Sequence, residues 1–146
     1  MSYKFKLQKI LDLKIRQEDD VKMQVAELMR CQRELQAELE SLLAEKRAKF
    51  RQLEQIRKEG ATIQQIRNLT QYNRYIESCI DKAQGSLRRL EADLEEKKAE
   101  YMEVRKERKS YENLKEKDME RHRYEEKKQE EKIIDQIVTF QKRGSI

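Results

Sequence analysis

The sequence predicts an all-α fold, a two-helix antiparallel coiled-coil hairpin whose second helix is the longer. Three observations predict it. Apolar residues recur in steps of three and four along two long stretches. A single glycine-centred break at residues 58–62 separates them. The rest is rich in Glu, Lys, Arg, Gln, Leu and Ala, with three glycines and no proline in 146 residues, and all six are good helix formers. With 43% charged and 36% hydrophobic residues, the chain has too little apolar content for a compact core but enough for a stripe. Charge this dense also suits disorder when apolar residues lack a period. Here the period is kept, so the helical reading stands.

In the first stretch the a positions are Leu11, Glu18, Val25, Gln32, Leu39, Lys46 and Leu53, and the d positions are Leu7, Lys14, Val21, Leu28, Leu35, Leu42, Lys49 and Ile56. Ten of these fifteen are apolar, which makes one seam. The polar members Gln32, Lys46 and Lys49 weaken it while helping to fix register. The break follows at Lys58-Glu59-Gly60-Ala61-Thr62. Gly60 suits the left-handed conformation that closes a helix. Thr62 with Gln65 three residues on forms a capping-box start. We therefore expect one coiled-coil unit over 1–146, with helix 1 at about 4–58, a hinge at about 59–62 and helix 2 at about 63–142.

The second frame runs Ile66, Leu69, Asn73, Ile76, Ile80, Ala83, Leu87, Leu90, Leu94, Lys97, Tyr101, Val104, Arg108 and Tyr111, eleven of fourteen apolar. A hinge near residue 60 makes facing residue numbers add to about 120, so Leu28 faces the neighbourhood of Ala92 and Leu7 that of Asn113. The second seam thus fades where the first helix begins, and an unpaired overhang is expected from about residue 115. From Glu112 to Lys132 fifteen of twenty-one residues are charged, which describes a solvated helix held by local ion pairs worth roughly 0.2–0.5 kcal/mol each. Beyond it lie Ile133, Ile134, Ile137, Val138 and Phe140, one helical face with nothing in the hairpin to cover it. Such a face fits either a second copy of the chain or a handle for another protein.

Enzymatic chemistry finds no foothold. His122 stands near Asp118 and Glu125, but one imidazole among solvated carboxylates lacks the converging ligands of a metal site. The pairs Glu95-Glu96, Glu125-Glu126 and Glu130-Glu131 have no pocket to tune their pKa. No phosphate loop, nucleophile elbow or zinc-protease helix occurs, and no cofactor is expected. Cys31 and Cys79 match no zinc spacing and fall too far apart in the hairpin register for a disulfide.

No stretch approaches the ~20 apolar residues that a membrane span needs. The opening Met1-Ser2-Tyr3-Lys4-Phe5-Lys6-Leu7 puts charge where a signal peptide carries its apolar run. A soluble protein of a reducing compartment is expected. Net charge is +5, from 34 basic and 29 acidic residues, but the two signs interleave, so no basic face for nucleic acid forms. Short basic clusters occur at Lys4, Lys6 and Lys9 and at Arg105, Lys106, Arg108 and Lys109. Phe50, Tyr72 and Tyr75 lie off the a and d lines, and the hairpin register gathers them near the hinge. They suit either the seam margin or a binding patch.

Several of these segments resemble the flagellar export proteins called FliJ. The opening Phe5-Lys6-Leu7-Gln8-Lys9-Ile10-Leu11-Asp12-Leu13-Lys14 with Glu18-Asp19 looks like the start of that family, and Tyr72 through Ile80 is similar to its post-hinge segment. Leu114-Lys115-Glu116-Lys117, Tyr124, Glu130-Glu131-Lys132 and Asp135 through Phe140 follow in family-like order, with Asp135-Gln136 where the family tends to show Asp-Glu. The resemblance implies a fold similar to the stalk subunit of rotary ATPases. It implies docking on a hexameric flagellar export ATPase and contacts with the export gate protein FlhA and export chaperones, in the cytoplasm at the inner face of the cell membrane. On this reading Phe5, Leu7, Leu114, Tyr124, Ile133, Ile137 and Phe140 are candidates for the ATPase. Phe50, Tyr72 and Tyr75 are candidates for the gate. The competing class is a homodimeric coiled-coil spacer with no motor partner.

Overall fold

In the computed structural model, which describes residues 3–144, two α-helices pack against each other as a hairpin. They are α1 (Gln8–Glu59) and α2 (Ile63–Gly144). No strand occurs among the described residues. All fifteen first-frame positions and all fourteen second-frame positions are buried or half-buried, as a seam of period three and four requires. The fully buried side chains among the described residues are Leu11, Val21, Leu53, Ile76, Ile80, Ala83 and Leu94, and none is polar. Met1 and Ser2, the first residues of the charged opening, lie outside the described part.

The hinge is built from the expected parts. Gly60 closes α1 at φ +92°, a conformation that costs a side-chain-bearing residue roughly 1–2 kcal/mol. Two residues on, Thr62 Oγ1 accepts the Gln65 N–H at 3.2 Å, and Gln65 Oε1 accepts the Thr62 N–H at 3.1 Å. The Thr62 carbonyl takes the first intrahelical bond, from Ile66 N–H at 3.2 Å. That reciprocal pair satisfies donors that a helix start leaves orphaned.

Contacts group the chain into two units, Val21–Tyr101 and Met1–Asp20 with Met102–Ile146. The Val21–Tyr101 unit holds the hinge and the apolar seam. Ile76 is 1% exposed and is the deepest side chain. Lys46 pairs with Glu77 at 3.5 Å and Lys49 sits over the Tyr72 ring at 5.0 Å, the register expected for a turn at residue 60.

The other unit is joined largely by polar groups. Leu11 is its one fully buried described side chain, at 3% exposure. Around it Lys14 pairs with Glu107 at 2.7 Å. Arg108 grips Glu18 through two guanidinium nitrogens and reaches Glu112 at 2.8 Å. This forked, charge-assisted geometry compensates part of the desolvation of two half-buried ions. Lys115 Nζ donates to Gln8 Oε1 at 2.7 Å.

Helix 1, expected from about residue 4, begins at Gln8. The first turn carries no acidic residue to meet its exposed N–H groups. Tyr3 instead reaches α2, as described below, and Phe5 contributes the carbonyl that accepts Gln8 N–H at 3.2 Å.

The glycines make opposite predictions. A Cβ at Gly60 or at Gly85 would meet nothing within 4 Å, so only backbone conformation distinguishes them. Gly60→Ala should lower the urea midpoint by a free energy of roughly 1–2 kcal/mol, through the left-handed turn. Gly85→Ala, in the interior of α2, should raise it by up to about 1 kcal/mol. Shifts of the same sign would show that the hinge does not rest on Gly60.

Candidate partner-binding surfaces

The first surface is the bare carboxy-terminal stretch of α2. From Arg123 to Gly144 every residue is exposed. The overhang was expected from about residue 115, but contact with the amino-terminal segment runs further. Lys115 binds Gln8, Asp118 binds Tyr3, and the His122 ring meets Tyr3 edge-on at 5.3 Å. The heptad frame simply continues in steps of four, three and four beyond Tyr111, with polar residues in the seam. A count of apolar positions alone misses that continuation.

Beyond His122 the described stretch stays helical to Gly144. Its backbone bonds are internal, and side-chain contacts one turn apart, such as Lys128 with the Tyr124 ring, add local support. On this stretch Ile133, Ile134, Ile137 and Val138 are roughly half exposed, and Phe140 is 78% exposed. Tyr124 is exposed as well, with Lys128 Nζ 5.1 Å from its ring centre.

The second surface lies where residues 3–7 cross α2. Phe5, Leu7 and Leu114 converge on a cleft of about 540 Å³ whose rim carries Lys4, Lys6 and Arg121. Three of the seven ATPase candidates therefore meet at one place, while Tyr124, Ile133, Ile137 and Phe140 lie further along α2. Tyr3, which sequence reasoning did not single out, anchors the cleft. Its hydroxyl donates to Asp118 Oδ2 at 2.7 Å, and the other Asp118 oxygen accepts from Arg121. Partial burial and the Asp118 acceptor push the Tyr3 phenol up to about 12.

The third surface flanks the hinge. The Tyr72 and Tyr75 rings stand 6.3 Å apart at 41°, and the Tyr72 hydroxyl donates to Glu45, which raises the Tyr72 pKa. Phe50 is 57% exposed and lines a different cavity, of about 280 Å³, with Lys46, Arg47, Arg51, Asn73 and Glu77. Of the three aromatics expected near the hinge, Tyr72 and Tyr75 share the ring contact. Asn73 at the seam lies between Tyr72 and Tyr75 in sequence, and its Oδ1 is buried without a hydrogen-bond partner.

Among the described residues no group of three His, Cys, Asp or Glu side chains is placed to hold a metal. His122 Nδ1 lies 3.7 Å from Glu126. Cys31 and Cys79 are half-buried free thiols. No described helix is long and apolar enough to cross a membrane.

A narrow apolar seam between two long helices, with an exposed apolar face near the end of α2, defines an all-α coiled-coil hairpin. The chain belongs to the FliJ family, described as flagellar FliJ protein, which matches residues 3–145. That family has a role in the flagellar export apparatus. No curated protein and no solved structure matches the chain.

The Tyr3 contact has a pH signature. A phenol whose folded value stands near 12 against an ordinary 10.0 contributes stability that is complete below pH 10 and is lost as pH rises through 12. Phenolate absorbance of the native chain minus that of Tyr3→Phe should therefore isolate one tyrosine titrating near pH 12. A difference curve centred at pH 10 would show that the Tyr3–Asp118 bond does not persist in solution.

Proposed function

We propose that this protein is an accessory stalk or escort of the flagellar type III export apparatus, binding the hexameric export ATPase, the gate protein FlhA and export chaperones. The single observation that supports ATPase docking is the bare helical stretch with its apolar face at Ile133–Phe140. A solvated ionic helix that ends in five exposed apolar side chains is costly in water unless something covers them. Phe5, Leu7, Leu114 and Tyr124 extend the same reading toward the cleft. The Tyr72–Tyr75 pair, with Phe50 on its own cavity, is the candidate for FlhA, since rigid exposed aromatics serve as interface anchors. The place of action is the cytoplasm, at the inner face of the cell membrane beneath the flagellar base. Membrane contact there runs through the partners. None of these roles calls for catalysis or a cofactor.

Capture by the cognate ATPase tests the first contact. A chain ending at Glu112 should bind at least ~30-fold more weakly than the intact chain, and full-length Ile137→Asp with Phe140→Asp should lose as much, because a charge would enter a desolvated contact. Equal capture of all three would remove the stretch from the mechanism. Capture by the soluble part of FlhA tests the second. Tyr75→Ala should weaken it ~10-fold or more and leave ATPase binding unchanged. Unaltered FlhA binding by Tyr75→Ala and Phe50→Ala together would exclude the hinge surface.

A further inference from the structure

Basic and acidic residues interleave along most of the chain, but not around the hinge. Between Glu45 and Glu77 stand eight basic residues and two acidic ones, Glu54 and Glu59, while the rest of the chain holds 26 basic against 27 acidic. The hinge end thus carries the net positive charge of the whole molecule. Both bounding carboxylates are engaged, Glu45 by the Tyr72 hydroxyl and Glu77 by Lys46. Within this basic end Arg47, Phe50 and Arg51 lie on one side of α1, the two arginines one turn or roughly 6 Å apart. All three are exposed, and neither guanidinium has a hydrogen bond or ion pair with another described residue. We propose that the Phe50 side of the hinge end binds an acidic peptide segment, with an apolar side chain in the cavity against Phe50 and carboxylates on Arg47 and Arg51.

The cavity and its lining select that occupant. At about 280 Å³ the space falls below the roughly 300–1,000 Å³ of small-molecule sites. It has room for one apolar side chain, and its wall joins the Phe50 ring to Arg47 and Arg51. Guanidinium forks match carboxylates with two parallel bonds. Two carboxylates about 6 Å apart occur one turn apart on a helix, or two residues apart on an extended strand. Glu54, one turn beyond Arg51, and Glu77, on the cavity wall, break the positive face. A duplex or a membrane surface presents continuous phosphates and would meet those carboxylates, whereas a short peptide segment fits between them. Asn73 lines the cavity as well, at a seam position where an apolar residue would pack better.

The assignment rests on the reading of the hinge end as a protein-binding surface and adds the chemistry of the partner, acidic side chains placed around an apolar one. Attachment through two exposed guanidiniums weakens as salt rises.

The test uses the full chain and two fluorescent peptides. One is an alanine-based helix carrying Glu, Leu and Glu at the spacing of Arg47, Phe50 and Arg51, and the other is an extended peptide alternating Glu with Leu. At low salt at least one should bind with a dissociation constant between roughly 10 μM and 1 mM, and Gln in place of Glu should weaken it ~10-fold or more. Arg47→Glu with Arg51→Glu should lose as much and should bind the peptide whose Glu residues are replaced by Arg. Phe50→Ala should cost about threefold to tenfold. Arg105→Glu with Lys109→Glu, an equal change of charge far along α2, should leave binding unchanged. No binding by either peptide, equal binding of the Gln peptides, or equal loss from the Arg105 and Lys109 pair would each overturn the proposal. So would tighter, Arg47- and Arg51-dependent binding to phosphatidylserine vesicles or to a short DNA duplex. Capture of soluble FlhA separates the site from the reading beneath it. Capture that Tyr75→Ala abolishes, with both acidic peptides unbound, keeps that reading and sinks the acidic site, and bound peptides without FlhA capture do the reverse.

Discussion

A seam one side chain wide is the constraint on which the rest of this protein depends. Each helix offers a single apolar stripe, and the other helix of the same chain covers it. The fully buried described side chains are all apolar and all lie on the two heptad frames, so hydrophobic burial here is spent wholly on pairing α1 with α2. The Tyr3 phenol is moved by partial burial and one carboxylate neighbour, and it lines an open cleft.

The two contact units use different physics for the same task. In the Val21–Tyr101 unit buried Ile76, Ile80, Ala83 and Leu94 supply most of the attraction, and exposed ion pairs such as Lys46 with Glu77 add little. In the other unit Lys14–Glu107, Arg108–Glu18, Lys115–Gln8 and Tyr3–Asp118 take the seam positions. Polar seams give register and direction more than net stability. They also respond to salt and to competing polar groups.

Most of the fold was legible in the sequence because coiled-coil pairing obeys a simple period. Gly60, the Thr62–Gln65 cap and every named seam position were readable as residue types at fixed spacing. What was not legible had no such signature. The Tyr3–Asp118 bond joins residues 115 positions apart, and no local pattern announces it. The seam beyond Tyr111 carries Lys115, Asp118 and His122, and a search for apolar steps passes over them. Phe50 and the tyrosines share a neighbourhood in the linear register, but a helix turns 100° per residue, so proximity along the axis did not guarantee a common face. The exposed face at Ile133–Phe140 was readable because it has apolar spacing and no partner residues in the chain to meet it.

The central claim is that one chain supplies both sides of its own seam. Dipolar electron resonance on dilute protein, with spin labels replacing Lys46 and Glu77, tests this most directly. Helices packed at the usual 8–10 Å between axes predict label separations within roughly 20 Å, unchanged when labelled chains are diluted into an excess of unlabelled ones. A signal that fades on such dilution would mean that the seam is shared between chains. A separation far beyond that range would mean that the helices do not fold back on each other.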